Sequence, residues 1–340
     1  MKNGKMFGSM LLAIVMLMVS MVSFVGTTFA DEIPLVRISL DEWIGWKNLV
    51  DANGGLKTAP GSLIAEAGLN IEFVPMNDAT ISSSALINGQ IVAAGYTVNR
   101  YSFLQDKFNN VGLDVVMPFI TNFSNGGDGV IASNEVATVE DLVDKKVAVP
   151  RFSEAQTLIE WILMNSKLTE NQQKDVRRNM VFCETADDTA ELFFSENVDA
   201  AATWEPYLTM AHSSTDSHVL FSTADNTNLI LDGLVFRKDF LEANPDFVKK
   251  LAECAFAASP MYKTDFTYIR EMPMFSLMTD EEIIDMANGA DLCTLEDNQS
   301  LLVDGAISMY EDMATIWKTI GEYAYPEQAK DAFDVSYISK

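Results

Sequence analysis

The chain has 340 residues, of which 49 are acidic and 23 are Lys or Arg, so its formal net charge at pH 7 is -26. Such an acidic surface repels nucleic-acid backbones and anionic lipid headgroups, which argues against nucleic acid as a partner. The length exceeds one ordinary domain core of about 100 to 200 residues, so two lobes are expected.

The first 30 residues are predicted to be a cleavable secretory signal. Lys2 and Lys5 form a basic start, an apolar run covers residues 10–25, and Thr28-Phe29-Ala30 precedes Asp31. The run is short for a membrane-spanning helix, which needs about 20 residues, so an uncleaved anchor is the weaker alternative. No Cys lies near the cleavage point. We therefore expect a periplasmic or extracellular protein without a lipid-attached N-terminus.

After the signal, the pattern alternates between strands and helices. Strands are predicted at residues 36–40, 70–75, 91–98 and 114–121, and helices at 61–67, 81–88 and 101–109. This rhythm is typical of an α/β fold. The glycine-rich stretch 122–129 interrupts it. We therefore predict that residues 31–121 form the first part of lobe 1 and that lobe 2 spans residues 122–226.

The second lobe repeats the alternation. Strands are predicted at 130–133, 146–150, 180–183 and 198–203, and helices after Thr138, Ser153 and Thr169 and over 186–194. Residues 218–221 and 229–236 are predicted to be the return path, so residues 227–340 complete lobe 1 and add C-terminal helices. Those helices are expected over 241–262, after Thr279 and over 298–323, the last with an apolar stripe typical of core packing.

The junction at residues 147–157 can hold an anion. Ser153 and Gln156 match a capping box, which predicts a helix start. The free amide groups of a first helical turn carry partial positive charge, and Arg151 adds a full one, which favours a phosphate-like, sulfonate or carboxylate group. The alternative, left equally open by these residues, is that Arg151 pairs with a surface carboxylate and the helix is merely well capped.

Residues 86–94 and 193–201 resemble each other, and both are typical of a helix, a turn and a strand. If each lobe contains this unit, the segments after the two strands lie at the carboxyl edges of two sheets, where ligands of open α/β sheets bind. Chance likeness between short α/β units is the alternative. Near these edges, Trp43, Trp46 and Trp204 offer flat apolar walls of the kind that line small-molecule pockets.

Four segments carry a resemblance to a known family: residues 88–94 (NGQIVAA), 125–131 (NGGDGVI), 138–150 (TVEDLVDKKVAVP) and 197–206 (NVDAAATWEP). In these, the chain resembles the solute-binding proteins of ABC importers, specifically the aliphatic sulfonate, taurine, nitrate and thiamine-precursor group. The resemblance implies a type II periplasmic-binding-protein fold, with two α/β lobes, a hinge and an interlobe ligand cleft. It also implies a small-molecule solute and an ABC transporter permease as partners. We expect a monomer without a cofactor.

The resemblance places ligand contacts in strand-end loops that the residue pattern also favours. The predicted contacts are Glu42, Trp43, Thr97, Ser124, Asn125, Arg151, Ser153, Gln156, Trp204 and Glu205. Acids near this site, namely Glu42, Asp128 and Glu205, fit a plain anion poorly. Either they form ion pairs with Arg100 and Arg151, which we favour, or they receive an ammonium group, which would suit a zwitterion such as taurine.

We therefore expect a non-catalytic protein that delivers a small anionic or zwitterionic solute, best described as sulfonate- or taurine-like, to an importer by cleft closure. The alternatives are binding of a thiamine-pyrimidine-type precursor, a biosynthetic enzyme of the same superfamily, and a ligand-binding sensor domain. The enzyme alternative is weak, since His212 and His218 lie outside the predicted cleft loops and Cys183, Cys254 and Cys293 are scattered. No catalytic residue or metal site is predicted, and a Cys254–Cys293 disulfide is left open.

Overall fold

The structure is a computed structural model that describes residues 33–227, 229–300 and 305–339, and from Pro34 onward the chain forms one compact unit. The predicted signal segment lies outside the described residues, as do residues 301–304 of the predicted last helix. None of the helices in the described ranges is long and apolar enough to span a bilayer.

Two sheets organise the described chain. The larger contains β1 (Val36–Leu40), β2 (Ile71–Pro75), β3 (Ala93–Thr97), β4 (Val115–Val116), β5 (Ile120–Ser124), β11 (Leu231–Arg237) and β12 (Ala290–Leu292). The smaller contains β6 (Asp128–Ser133), β7 (Val147–Pro150), β8 (Met180–Cys183), β9 (Ala200–Trp204) and β10 (Ser217–Ser222). We call the parts of the chain built on these sheets lobe 1 and lobe 2.

The strand order is β12-β5-β11-β3-β1-β2 in lobe 1, with β4 beside β11, and β10-β6-β9-β7-β8 in lobe 2. In each lobe, three strands pair in parallel: β3-β1-β2 in lobe 1 and β9-β7-β8 in lobe 2. The remaining ladders are antiparallel. The carboxyl ends of β1 and β3, and of β7 and β9, therefore form one edge in each lobe.

Helices pack around both sheets. Lobe 1 has α1 (Lys47–Asn53), α2 (Leu63–Glu66), α3 (Ala79–Ile87) and α4 (Val98–Asn110). Lobe 2 has α5 (Glu154–Asn165), α6 (Glu170–Arg178), α7 (Ala186–Phe194) and α8 (Tyr207–Ser213). The C-terminal part has α9 (Lys238–Ala243), α10 (Phe247–Ala258), α11 (Asp280–Asn288), α12 (Leu295–Ser300), α13 (Ala306–Thr319), α14 (Ala329–Ala332) and α15 (Ser336–Ser339).

The helix starts follow the predicted caps. Thr169 and Thr279 form complete capping boxes, and Ser153 caps α5. The apolar face of α5 packs in the core of lobe 2, as its spacing predicts. The predicted helix–turn–strand unit occurs in both lobes, as α3–β3 and α7–β9.

Three expectations about elements need correction. The predicted helix over 241–262 is two helices, because the chain leaves the helical conformation around Asn244, before Pro245. Residues 218–221 lie in β10 of lobe 2, where they pair with β6, and so are not part of the return to lobe 1. The segment after β1 forms the short 3-10 helix Ile44–Trp46 and α1 instead of an open loop.

Two crossovers join the lobes, one between β5 and β6 and one between β10 and β11. They are bonded to each other, since the hydroxyls of Ser124 and Thr223 lie 2.8 Å apart and the Gly126 N–H donates to Thr223 Oγ1 at 2.8 Å. The first crossover follows β5, so the predicted lobe boundary after residue 121 falls inside that strand. Two short adjacent connections of this kind are suited to act as a hinge.

Candidate functional site

A cavity of about 400 Å³ lies between the two lobes. Its lobe 1 wall comes from the segments after β1 and β3, from the start of α3, from α4 and from β11. Its lobe 2 wall comes from the start of β6, the β7–α5 junction, the start of α7 and the end of β9. The cavity therefore lies where the carboxyl edges of the two sheets meet, which is the usual ligand position in α/β folds.

Five of the ten residues predicted to contact ligand line this cavity: Glu42, Trp43, Thr97, Arg151 and Trp204. They come from four separate strand ends, so the fold brings together what the sequence keeps far apart. The other five residues lie elsewhere, and each has a different structural role. They are Ser124, Asn125, Ser153, Gln156 and Glu205.

Ser124 and Asn125 lie at the first crossover between the lobes. Ser124 is fully buried, and its hydroxyl bonds to Thr223 and accepts from the Asp128 N–H at 3.1 Å. Asn125 donates through Nδ2 to Asp291 at 2.8 Å and through its amide to the carbonyl of Gly289 at 2.9 Å. Because these polar groups are already bonded, they stabilise the crossover and do not line the cavity.

Ser153 and Gln156 complete the helix start of α5. Ser153 Oγ accepts from the Gln156 N–H at 3.2 Å and donates to the carbonyl of Pro150 at 2.6 Å. Gln156 Oε1 accepts from the Phe152 N–H at 2.7 Å, in place of the Ser153 amide expected in a full capping box. Glu154 supplies a carboxylate in this first turn, so a negative group of the chain already occupies this region.

The predicted ion pairs of Glu42, Asp128 and Glu205 with Arg100 and Arg151 are wrong. Glu205 accepts from the backbone and hydroxyl of Thr209 at 3.0 and 2.9 Å, which helps to hold the start of α8. Glu42 accepts from Asn77 Nδ2 and from the Met274 amide, both at 2.7 Å.

Arg151 is exposed and lies over two phenyl rings. Its guanidinium carbon is 5.1 Å from the ring centre of Phe152 and 4.9 Å from that of Phe182. In the described parts of the chain it makes no ion pair, so the surface pair that the sequence left open is not formed, and the guanidinium lines the cavity without a carboxylate partner. Its charge faces solvent at the rim of the cavity.

Arg100 spans the two lobes. It lies in the first turn of α4, which Thr97 caps, and its Nη2 lies 3.0 Å from Glu154 Oε2 in lobe 2. A second bond from Arg100 Nε reaches the same carboxylate at 3.3 Å. Asn99 donates to Thr157 Oγ1 at 2.8 Å, so two successive residues of α4 bond to the first turn of α5. This contact joins the lobes beside the cavity.

Three aspartates of the cavity were not among the predicted contacts. Asp41 follows β1, Asp232 lies in β11 in register with Thr97, and Asp128 begins β6 in register with Trp204. Burial, with some contribution from the neighbouring carboxylates, raises the pKa of Asp41 to about 6 and that of Asp128 to about 8, and raises the pKa of Asp232 well above its usual range. A lone acid within the apolar run 229–236 was a usable signal for Asp232.

Aromatic rings form the apolar part of the wall. Trp43 is buried, and its Nε1 donates to Asn122 Oδ1 at 2.9 Å, whereas Trp204 is half-buried. Phe103 of lobe 1 stacks on Phe152 of lobe 2, with ring centres 4.5 Å apart. Trp46 is wrong as a cleft wall, because it is fully buried in the core of lobe 1.

Among the described residues, no cysteine or histidine lines this cavity. Cys183, Cys254 and Cys293 are all free thiols, so the Cys254–Cys293 disulfide that the sequence left open is not formed. His212 lies in the last turn of α8 and His218 lies in β10. Among the residues that the structure describes, acids, histidines and cysteines nowhere group in a way that could hold a metal ion.

Comparisons with known proteins agree with this architecture. The periplasmic aliphatic sulphonate binding protein SsuA from Escherichia coli is 17% identical, with a TM-score of 0.67 over 87% of this chain and 96% of that one. The periplasmic nitrate-binding protein NrtA from Synechocystis PCC 6803 is 13% identical, with a TM-score of 0.66 over 90% and 87%. At these identities the likeness establishes the fold alone.

A third similar structure is the CA3427 gene product of Candida albicans, which is described as having the generic periplasmic binding protein structural fold. It is 11% identical, with a TM-score of 0.62 over 89% of this chain and 96% of that one. The predicted fold class is thus confirmed. No curated protein matches the chain. The model of the family described as NMT1/THI5 like matches residues 64–258, more than half of the chain, so the chain belongs to the NMT1/THI5-like family.

Proposed function

We propose that the chain is an extracytoplasmic solute-binding protein that delivers a small solute to an ABC transporter permease. The observation that carries this proposal is the cavity of about 400 Å³ whose wall comes from both lobes. A solute held there contacts both walls only when the lobes are together, so its binding favours the closed arrangement. Periplasmic or extracellular location, a monomeric state and the permease partner belong to this same proposal.

The comparisons support a binding role over a catalytic one. The similar structures named above that carry a functional title are described as sulphonate- and nitrate-binding proteins, and the family also takes its name from THI5-like members. In the described residues the cavity wall holds neither histidine nor cysteine, the groups most often used for nucleophilic or general acid–base catalysis. A non-catalytic carrier therefore fits the site best.

The solute is expected to carry a positive charge, alone or as part of a zwitterion. The wall holds eight acidic and three basic side chains, and one of the bases, Arg100, is bonded to Glu154. A plain anion such as nitrate would be repelled by such a wall. A taurine-like zwitterion stays compatible with the wall, with its sulfonate towards Arg151 at the rim.

The test is a thermal-shift screen of small amines, amidines, sulfonates, amino acid analogues and inorganic anions, followed by small-angle scattering. A true solute present at 100 times its Kd should stabilise the folded protein by about 2.7 kcal/mol and reduce the radius of gyration as the lobes close. A Glu72→Gln variant, altered on the lobe 1 surface, is the control and should respond like the unaltered protein. A complete absence of stabilisation and compaction across the screen would contradict the proposed function.

A further inference from the structure

We infer that the interlobe cavity takes a small organic cation, whose protonated nitrogen lies against the carboxylates of Asp41, Asp128 and Asp232. This inference rests on the proposed binding function and specifies the chemical class of its solute. It differs from what the resemblance led us to expect, since the three acids belong to the cavity wall itself.

Two of the three carboxylates are nearly inaccessible and have no charged partner. Asp128 and Asp232 are 4% and 3% exposed, and both line the cavity. In the described parts of the chain, neither forms an ion pair with Lys or Arg. The donors beside them are neutral: the Ser124 hydroxyl for Asp128, and for Asp232 the indole N–H of Trp43, which also lies 2.9 Å from Asn122 Oδ1. A buried carboxylate with only neutral donors is costly to ionise, so a positive group supplied from the cavity would stabilise it.

The basic side chains that the structure describes in the wall do not form ion pairs with Asp128 or Asp232. Arg100 bonds to Glu154, Lys107 Nζ donates to Ser83 Oγ at 2.9 Å, and Arg151 lies over phenyl rings at the rim. Asp128 and Asp232 therefore lie near Asp41 without a positive group, and burial, together with the acidic neighbours, raises the pKa of each, which favours the protonated form in the empty cavity. A bound cation would supply the missing positive charge.

The wall is better suited to an organic cation than to a metal ion. No acidic group in the described ranges has the arrangement needed to hold a metal. Instead the carboxylates lie beside aromatic rings, since Asp128 pairs with Trp204 across β6 and β9 and Trp43 neighbours Asp232. Indole rings attract organic cations through their faces and pack against the carbon skeleton. Carboxylates and indoles together thus define a charged end and an apolar side of the solute.

The test compares probes of nearly equal shape and different charge by isothermal titration: benzamidine, benzamide and benzenesulfonate, with taurine as the zwitterion and benzylamine as a second cation. The cations should bind and the neutral and anionic probes should not. Asp232→Asn should weaken cation binding by about 10- to 100-fold, because it removes one charge-assisted contact, whereas Glu72→Gln outside the cavity should leave it unchanged. Circular dichroism of each variant establishes that it is folded.

The outcomes separate the inference from the proposed function. If benzenesulfonate or another anion binds and Asp232→Asn does not weaken it, the cation inference is wrong while the binding function stands. If Ca²⁺, Mg²⁺ or Zn²⁺ alone stabilises the protein and displaces benzamidine, the site is a metal site and the inference is also wrong. If no probe of any charge binds, the cation inference and the proposed binding function are withdrawn together. Cation binding that depends on Asp232 supports both.

Discussion

The ion pair between Arg100 and Glu154 should stabilise the folded protein through its contact between the lobes. The two side chains are 14% and 8% exposed, and Nη2 and Oε2 are 3.0 Å apart. At an effective dielectric constant of about 20, that separation corresponds to about 5 to 6 kcal/mol of attraction, part of which offsets the cost of desolvating both charges. We therefore expect a net coupling of about 2 to 3 kcal/mol in a double-mutant cycle.

The two single variants should lose different amounts of unfolding free energy. Arg100→Met leaves the Glu154 carboxylate buried among other acids and should cost about 3 to 5 kcal/mol of unfolding free energy. Glu154→Gln should cost less, because Asp41 stays within electrostatic reach of the Arg100 guanidinium. The measurement is urea unfolding of the empty protein at neutral pH for both single variants and the double variant.

A surface pair in lobe 1 serves as the matched control. Arg37 and Glu72 are 2.8 Å apart, with side chains 51% and 20% exposed, so water screens their attraction and their coupling should stay below about 1 kcal/mol. A coupling of Arg100 with Glu154 no larger than that of this control pair would refute the stabilising contact between the lobes. A greater loss of stability in Glu154→Gln than in Arg100→Met would refute it as well.

Three further predictions concern the cavity, the hinge and the thiols. Burial and the neighbouring Glu154, Asp41 and Glu205 raise the pKa of Asp128 to about 8, so at intermediate pH the folded protein holds a proton that the unfolded chain, with a pKa of about 3.9, has lost. Stability should therefore fall as pH rises from about 4 to about 8. Asp128→Asn should flatten this dependence in urea unfolding at several pH values, and an unchanged slope would contradict the assignment. Gly127→Ala would put a Cβ against the Trp43 ring and 2.6 Å from the Gly289 carbonyl oxygen, so we expect a loss of about 1 to 3 kcal/mol of unfolding free energy, measured by thermal unfolding. A variant as stable as the original protein would refute the close contact. Burial raises the pKa of the Cys183, Cys254 and Cys293 thiols, so alkylation of the folded protein should be slow. After unfolding without reductant, all three thiols should react, and fewer than three labels by mass spectrometry would reveal a disulfide.

Local sequence patterns predicted most of the elements correctly because the physics behind them is local. A cap such as Thr169 with Gln172 acts within one helical turn, and it forms as predicted. The repeated helix–turn–strand unit likewise depends on neighbouring residues. The break between α9 and α10 occurs at Pro245, which lies near the start of the predicted single helix over 241–262.

Only half of the residues predicted to contact ligand line the cavity. Strand-end positions led to Trp43, Thr97 and Trp204, because a carboxyl edge collects such residues whatever the details of packing. The same logic failed for Ser124, whose partner Thr223 lies 99 residues further along the chain. A polar residue at a strand end is free for ligand only if no distant group of the protein bonds to it first.

The sequence by itself determined the α/β character, the family and the strand-end loops, since hydrophobic periodicity, capping and short motifs are properties of neighbouring residues. Only the tertiary structure decided the charge of the cavity. The ion pair with Glu154 neutralises the positive charge of Arg100. Asp232 of β11 lies beside Thr97, and Asp128 at the start of β6 lines the same cavity. Electrostatic environment depends on which side chains meet across the two lobes, and that is a long-range property of the fold.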